Sequence, residues 1–378
     1  MFSEKKPPLT RSRWFCVLVF WACCCVPVWA QTAWVVGQSA PLTGGNAAFG
    51  KDVRDGAAAY FKSFNATPAG KVNPIELVTL DDRNERKQAG ENAKLLLDTK
   101  KVVALFGFAS ATLSLDAIPL AQQAGALFFA PFSGADAVRK PNPVVFTLRA
   151  SYAEELEKMV TFWTSVGMSS VAVVHYDDEV GQQNFSVVSD FLAKQGKKPS
   201  AIALKRNQPV EAAQIDSLIR MKPDVIIVTV LSGAASQIAK GLAARKLVVP
   251  MSSLSFVGAQ QFIVASGSAG AGVSIAQVVP GTSSALPVVR ECAKAIRLAG
   301  HTEPMNSTQL EACIGAKVLT EALRRSKKLG GRAALLASMQ SLGRFDTGGF
   351  TVFYSGAEHH GSAFVELAVV SRDGKLRR

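Results

Sequence analysis

The chain has 378 residues, a formal net charge of +13 and a hydrophobic content of 48%. This length and apolar content favour two globular domains with real cores and exclude a disordered chain. The basic residues do not form runs interleaved with aromatic residues, so a nucleic-acid groove is not expected. We interpret the charge as a solvated basic surface.

Residues 1–30 have the pattern of a secretory signal. Their positive start contains Lys5, Lys6, Arg11 and Arg13. An apolar run at 14–26 follows, and it is shorter than the roughly 20 residues that span a bilayer. Val28 and Ala30 then supply the small residues of a cleavage site. A membrane anchor and a lipidated cysteine within 23–25 are the alternatives. We predict export to the periplasm, with no stable membrane insertion after cleavage.

Two cysteines, Cys292 and Cys313, lie outside this segment. Export would bring them to an oxidising compartment, where a disulfide between them is possible. Two buried free thiols are the alternative, and the sequence leaves both open.

The next 120 residues alternate short apolar strands with amphipathic helices. Strands are predicted at 34–39, 75–80, 102–106 and 127–129, and helices at 52–65, 86–99 and 114–124. The rhythm restarts with helices at 153–166, 181–195, 209–221 and 234–245, and strands at 170–176, 201–204, 225–230 and 251–253. This pattern is typical of two mostly parallel, doubly wound sheets.

The pattern changes near residue 276. A strand at 273–279 precedes helices at about 286–299, 307–325 and 331–341, and a β-rich stretch at 350–370 ends the chain. Ligands of open α/β sheets bind at the carboxyl ends of strands. Those ends fall here at 41–45, 81–83, 107–112 and 131–134, which are rich in Gly, Ser and Thr. Such ends suit an anion, because helix-terminal N–H groups are unpaired there.

Motifs at these ends resemble a known family. They are Ser39-Ala40-Pro41-Leu42-Thr43-Gly44, Asp81-Asp82-Arg83-Asn84, Gly107-Phe108-Ala109-Ser110-Ala111-Thr112, Pro131-Phe132-Ser133-Gly134-Ala135, Val145-Phe146-Thr147-Leu148-Arg149-Ala150 and Ser255-Phe256-Val257-Gly258. Their order across nearly the whole chain resembles the type I periplasmic binding proteins of the leucine/isoleucine/valine-binding branch, which serve ABC importers.

The resemblance implies a fold of two Rossmann-like lobes joined by a three-strand hinge. We predict lobe 1 at 31–149 and 276–358, and lobe 2 at 150–275 and 359–378. It also implies a ligand site between the lobes. The expected contacts are Phe49, Ser110, Ala111, Thr112, Phe132, Ser133, Gly134 and Phe256. The alternative for each hydroxyl is a helix cap. Tyr176 could also supply an apolar wall; core packing is the alternative for each aromatic ring, and it is favoured for Tyr176.

Lobe 2 departs from the amino-acid binders of this family. Val180 and Leu231 stand where they place aromatic residues, and no carboxylate lies near Leu254–Ser255 to pair with a ligand ammonium. Asp177 or Asp178 could replace it, although a surface turn is the simpler interpretation. An unpaired buried ammonium is costly, so we expect a carboxylate-bearing solute, either amino-acid-like without an essential ammonium or an organic or aromatic acid.

The sequence contains no Gly-x-Ser-x-Gly elbow and no His-Glu-x-x-His pair, so we predict a binding protein, not an enzyme, with no metal and no cofactor. The expected partners are a small-molecule ligand and an ABC permease, and the expected state is a monomer. A ligand-sensing module for a membrane receptor and an exported enzyme are the alternative functions.

Overall fold

The protein is described by a computed structural model over residues 1–5, 33–44, 46–326 and 331–378. The predicted signal segment, residues 1–30, lies outside these ranges except for its first five residues. Thr32–Arg378 form one compact unit.

The first sheet is parallel and has five strands, in the order β2-β1-β3-β4-β5. The strands are β1 Trp34–Ala40, β2 Ile75–Asp81, β3 Ala104–Phe106, β4 Leu127–Phe129 and β5 Val145–Phe146. The helices between them are α1 Ala47–Asn65, α2 Pro68–Val72, α3 Arg86–Asp98, α4 Ala111–Ser114 and α5 Ala117–Gln123. Together these elements begin lobe 1.

The second sheet begins after residues 147–151. Its helices are α6 Tyr152–Ser165, α7 Glu179–Ala193, α8 Ala212–Arg220, α9 Ser232–Ala244 and α10 Ala259–Ser266. Its strands are β6 Val171–Tyr176, β7 Ser200–Leu204, β8 Val225–Thr229, β9 Met251–Ser253 and β10 Ser274–Gln277. These strands are parallel, and they form the core of lobe 2.

The last third of the chain contributes to both lobes. It forms α11 Pro287–Ala299, α12 Ser307–Arg325, α13 Gly331–Gln340, a hairpin of β11 Gly343–Asp346 and β12 Thr351–Tyr354, β13 Glu366–Val370 and β14 Leu376–Arg377. Helices α11 and α12 pack against α1. Strand β13 pairs antiparallel with β10, which completes the order β14-β13-β10-β9-β8-β6-β7. The chain therefore crosses between the lobes three times.

These elements confirm the predicted α/β architecture of two doubly wound lobes. Several details differ. The single helix predicted at 114–124 is divided into α4 and α5, and α2, α10 and β5 were not predicted. The predicted domain boundary at 276 falls inside β10, whose four residues all belong to the second sheet. The domain boundaries otherwise stay predictions.

The structure joins Cys292 and Cys313 in a disulfide. Both cysteines are fully buried, and the bond links α11 to α12, the two helices that pack against α1. Of the two alternatives that the sequence leaves open, the structure contains the bridge. It fixes the two helices that return the chain to lobe 1.

A buried ion pair anchors the first crossing to lobe 1. Arg149 lies in the crossing segment, and its Nε and Nη2 donate to the two carboxylate oxygens of Glu311 on α12, at 2.8 and 2.6 Å. Both side chains are at most 5% exposed. Burial alone would lower the pKa of Arg149, but the Glu311 charge outweighs it and raises the pKa above its ordinary value. Arg149 therefore stays charged.

We predict that Glu311→Leu destabilises the protein by about 3–5 kcal/mol, because it leaves the Arg149 cation buried without a partner. Arg149→Met combined with Glu311→Leu should recover most of this loss, since no charge then remains. Urea denaturation measures the free energy of unfolding of both variants. Glu91→Leu removes an exposed carboxylate from α3 and should cost less than about 1 kcal/mol. A Glu311→Leu loss as small as this control would contradict the prediction.

Candidate functional site

A cavity of about 230 Å³ lies where the two lobes face each other. Lobe 1, with the first residue of α6, supplies Asn46, Phe49, Asn84, Ala109, Ser110, Ala111, Thr112, Leu113, Phe132, Ser133 and Tyr152. Lobe 2 supplies Tyr176, Val180, Gly181, Arg206, Asn207, Thr229, Leu231 and Phe256. Most of these residues follow the carboxyl ends of parallel strands, where open α/β sheets bind ligands.

The turn after β3 forms one wall of the cavity. Ser110 caps α4, because its Oγ accepts a hydrogen bond from Leu113 N at 3.2 Å. Thr112 is exposed, and its hydroxyl has no hydrogen-bond partner within the described chain. Ser110 therefore has a structural task as well as a place in the wall, whereas the Thr112 hydroxyl is free to bind a ligand.

The turn after β4 is more rigid. Ser133 Oγ accepts from Ala135 N and donates to Tyr152 Oη, both at 3.2 Å. Gly134 does not line the cavity. A Cβ at this position would lie 2.7 Å from the backbone nitrogen of Tyr152, so glycine permits the close approach of α6. Tyr152 begins α6 and reaches the cavity because of that approach.

Four aromatic residues of the cavity wall pack in two pairs. Phe49 on α1 meets Phe132 edge to face, with ring centroids 6.0 Å apart. Phe256, which follows β9 in lobe 2, packs on Tyr152 at 5.2 Å. The structure thus brings seven of the eight predicted contact residues to one cavity and leaves out Gly134. Their contact with a ligand stays a prediction.

A buried carboxylate, that of Glu155, holds the residue that precedes Phe256. Glu155 on α6 is fully buried, and its two oxygens accept from Ser255 N at 2.7 Å and Ser255 Oγ at 2.8 Å. Burial raises the pKa of this carboxyl to about 7, against the opposing effects of Arg149 and of the Ser255 hydrogen bonds. Glu155 does not line the cavity, so it holds the turn that carries Phe256 instead of meeting a ligand.

Lobe 2 supplies a mixed wall. Val180 and Leu231 are aliphatic, as the sequence indicates, and both line the cavity. Tyr176, for which core packing was favoured, is 5% exposed and also lines the cavity. Its hydroxyl accepts from Leu231 N at 3.2 Å, which fixes the ring at the end of β6.

Sequence reasoning missed Arg206. It follows β7, lines the cavity and lies over the Tyr176 ring, with its guanidinium carbon 4.0 Å from the ring centroid. Its Nε and Nη2 both donate to Asp178 Oδ2, at 2.9 and 2.6 Å. Asp178, considered above as a counter-charge for an ammonium, is thus paired with an arginine. It also caps α7 through Gly181 N at 2.9 Å.

Two side-chain hydrogen bonds outside the cavity join α10 and α7 of lobe 2 to lobe 1. Gln261 on α10 donates through Nε2 to Asp52 on α1, at 2.8 Å. Gln183 on α7 donates to Asp136, which belongs to the lobe-1 turn after β4. Each is a glutamine of lobe 2 that donates to an aspartate of lobe 1. They hold the lobes in contact around the cavity.

No three His, Cys, Asp or Glu side chains come together as a possible metal site in the part of the chain that the structure describes. Within the same residues, no helix is both long enough and apolar enough to cross a bilayer.

We predict a pH-dependent loss of stability from Glu155. Its folded pKa of about 7 exceeds the ordinary 4.5, so the folded state holds the proton more tightly than the unfolded state does. The contribution of protonated Glu155 to the stability of the folded state is complete below pH 4.5 and is lost as the pH rises through 7. Glu155→Gln should remove this decline in urea unfolding series, whereas Glu157→Gln, exposed on the same helix, should retain it. Parallel curves for the wild type and Glu155→Gln would refute the assignment.

A second prediction concerns the contacts between the lobes. Gln183→Ala combined with Gln261→Ala removes both donors, so the lobes should separate more often without a ligand. Small-angle scattering should then give a larger radius of gyration than for the wild type. Gln182→Ala is the control, because Gln182 bonds only weakly to Asp177 within lobe 2, at 3.5 Å. An unchanged radius would show that these contacts do not hold the lobes together.

Comparisons with known proteins agree with this architecture. A family model described as periplasmic binding protein matches residues 33–375. The structure of a possible leucine/isoleucine/valine-binding protein from Rhodopirellula baltica is 26% identical, with a TM-score of 0.87, and the match covers 92% of this chain and 97% of that one. A substrate-binding periplasmic protein from Ralstonia solanacearum is 28% identical, with a TM-score of 0.83 and coverage of 91% and 99%.

One curated relative matches over a shorter region. An amino acid binding protein from Pseudomonas aeruginosa is 36% identical over 101 residues, which is 26% of this chain and 26% of the relative. The match therefore spans about a quarter of that relative. The family model covers nearly the whole described chain, and the fold agrees with it. The chain belongs to the periplasmic binding protein family, with the type I fold of the leucine/isoleucine/valine-binding proteins.

Proposed function

We propose that this protein works in the periplasm, where it captures a small carboxylate-bearing solute between its lobes. It then delivers the solute to the permease of an ABC transporter. The observation that carries the proposal is the cavity itself, because both lobes line it and the chain crosses between them three times. Such a cleft can bury a ligand when the lobes close. The signal-like residues 1–30 support export.

The chemistry of the lobe-1 wall favours a carboxylate. Thr112 offers a free hydroxyl, and the backbone N–H groups of Ser110 and Ala111, in the turn after β3, have no hydrogen-bond partner within the described chain. Groups of this kind bind anions well. No carboxylate lines the described cavity, so an ammonium group would lack a counter-charge there. An α-amino acid with an uncharged side chain therefore fits less well than an organic acid does.

The test is a thermal-shift screen with organic acids, aromatic acids, α-amino acids and neutral sugars. We expect a carboxylate to raise the melting temperature, because a ligand at 100 times its Kd adds about 2.7 kcal/mol of stability. Thr112→Val should weaken that carboxylate about tenfold, since it removes one hydrogen bond to a charged group. The unliganded melting temperature should not change, because the hydroxyl has no partner in the described chain.

Two results would contradict the proposal. If no compound stabilised the protein, the solute-binding assignment to this cavity would fail. If leucine or isoleucine bound with submicromolar Kd, the inference of an acid without an ammonium would be wrong. Uptake assays separate transport from sensing. Deletion of the gene should abolish uptake of the identified ligand, whereas a sensor would leave uptake intact and abolish a response.

A further inference from the structure

Arg206 is the only charged residue among the described residues that line the cavity. It belongs to lobe 2, opposite the hydroxyl-bearing turns of lobe 1. Its side chain is 36% exposed, so a ligand can reach it. The wall that lacks a partner for an ammonium therefore contains a partner for an anion.

The guanidinium is held in one orientation before any ligand arrives. Both of its bonds to Asp178 end on Oδ2, and the Tyr176 ring supports its flat face at 4.0 Å. Asp178 is fixed in turn as the cap of α7. A group oriented in advance loses little freedom when it binds, which strengthens recognition.

In this orientation, the Arg206 guanidinium still has N–H donors that are free to bind a ligand. A guanidinium carries five N–H donors, and Asp178 uses one on Nε and one on Nη2. Nη1 has no hydrogen-bond partner within the described residues. Asp178 is absent from the cavity wall, so the ligand meets the arginine and not its counter-ion. The free edge of a guanidinium matches the two oxygens of a carboxylate.

We propose that Arg206 forms a second anion subsite, so that the ligand is a small molecule with an acidic group at each end. This inference rests on the proposed function, which places the first acidic group against lobe 1. The second group binds the free edge of Arg206 on lobe 2. The aliphatic side chains of Val180 and Leu231 and the aromatic rings of the wall suit an apolar spacer between the two groups.

A ligand of this kind also couples binding to closure. Its first acidic group contacts lobe 1 and its second contacts lobe 2, so both bonds form only when the lobes approach each other. A ligand shifts a conformational equilibrium by its differential affinity for the two states. A diacid therefore favours the closed form more than a monoacid of the same length does.

The experiment compares diacids with monoacids by titration calorimetry on the full chain. The probes are glutarate, adipate and terephthalate, with pentanoate, hexanoate and benzoate as their counterparts. The variants are Arg206→Gln, Arg206→Lys and, as a control, Arg245→Gln. Arg245 also pairs with an aspartate of lobe 2, Asp216, but lies outside the cavity.

We expect at least one diacid to bind more tightly than its monoacid counterpart. Arg206→Gln should weaken that diacid at least tenfold and the monoacid less than twofold. Arg206→Lys should retain part of the affinity, because it keeps the charge but loses the planar fork. Arg245→Gln should change neither.

Two results overturn the inference in distinguishable ways. If monoacids bind and Arg206→Gln affects both acid types equally or not at all, the second subsite is refuted and the proposed function stands. If neither these acids nor the carboxylates of the wider screen bind the wild type, the proposed function fails and the subsite fails with it. A lower melting temperature of unliganded Arg206→Gln with unchanged diacid affinity would assign Arg206 a structural role only.

Discussion

The buried pair of Arg149 and Glu311 sets the geometry on which the cavity depends. It ties the first crossing segment to α12, a helix that packs on α1 in the centre of lobe 1. Two residues later, Ser151 caps α6 in a reciprocal capping box with Glu154. Lobe 2 therefore begins from a fixed point and in a fixed direction. The cost of burying two charges is offset by the two hydrogen bonds between them, although Arg149 Nη1 is buried without a partner in the described chain.

That fixed start also explains why α6 contributes to the site at all. Its first residue, Tyr152, reaches Ser133 in lobe 1, and one turn later Glu155 holds Ser255 in lobe 2. A single helix thus positions residues on both sides of the cleft. Closure can then turn the lobes about the crossings while the aromatic residues near α6 stay packed.

Much of this fold could be predicted from the sequence, because the alternation of strands and helices is regular. The strand Leu127–Phe129 was predicted at its observed bounds, and α3 differs by one residue. The break between α4 and α5 was missed, although Pro119 lacks the N–H that a continuous helix would need. Helix α10 was missed because it is short and lies between Gly258 and Gly267, which both have positive φ.

The motif turns of lobe 1 were found because their glycines, hydroxyls and order are specific. The lobe-2 wall carries no such motif. Asp178 and Arg206 lie 28 positions apart in polar segments that favour solvated turns. Asp178 was considered only as a counter-charge for an ammonium, and Arg206 attracted no functional interpretation. The charge of Arg206 was counted as part of a basic surface, and its neighbours gave no reason to separate it.

The strand register of the second sheet would have identified Asp178 and Arg206 as neighbours. Tyr176 and Leu204 are paired at the carboxyl ends of β6 and β7, and Asp178 and Arg206 each lie two residues further on. In lobe 1, Ala40 and Asp81 are paired in the same way at the ends of β1 and β2. There Asp81 accepts hydrogen bonds from Thr43 N and Thr43 Oγ1 in the turn after β1, at the exposed rim. In lobe 1, the carboxylate at this edge of the sheet holds a turn. In lobe 2, the carboxylate at the corresponding edge pairs with Arg206, whose guanidinium lines the cavity.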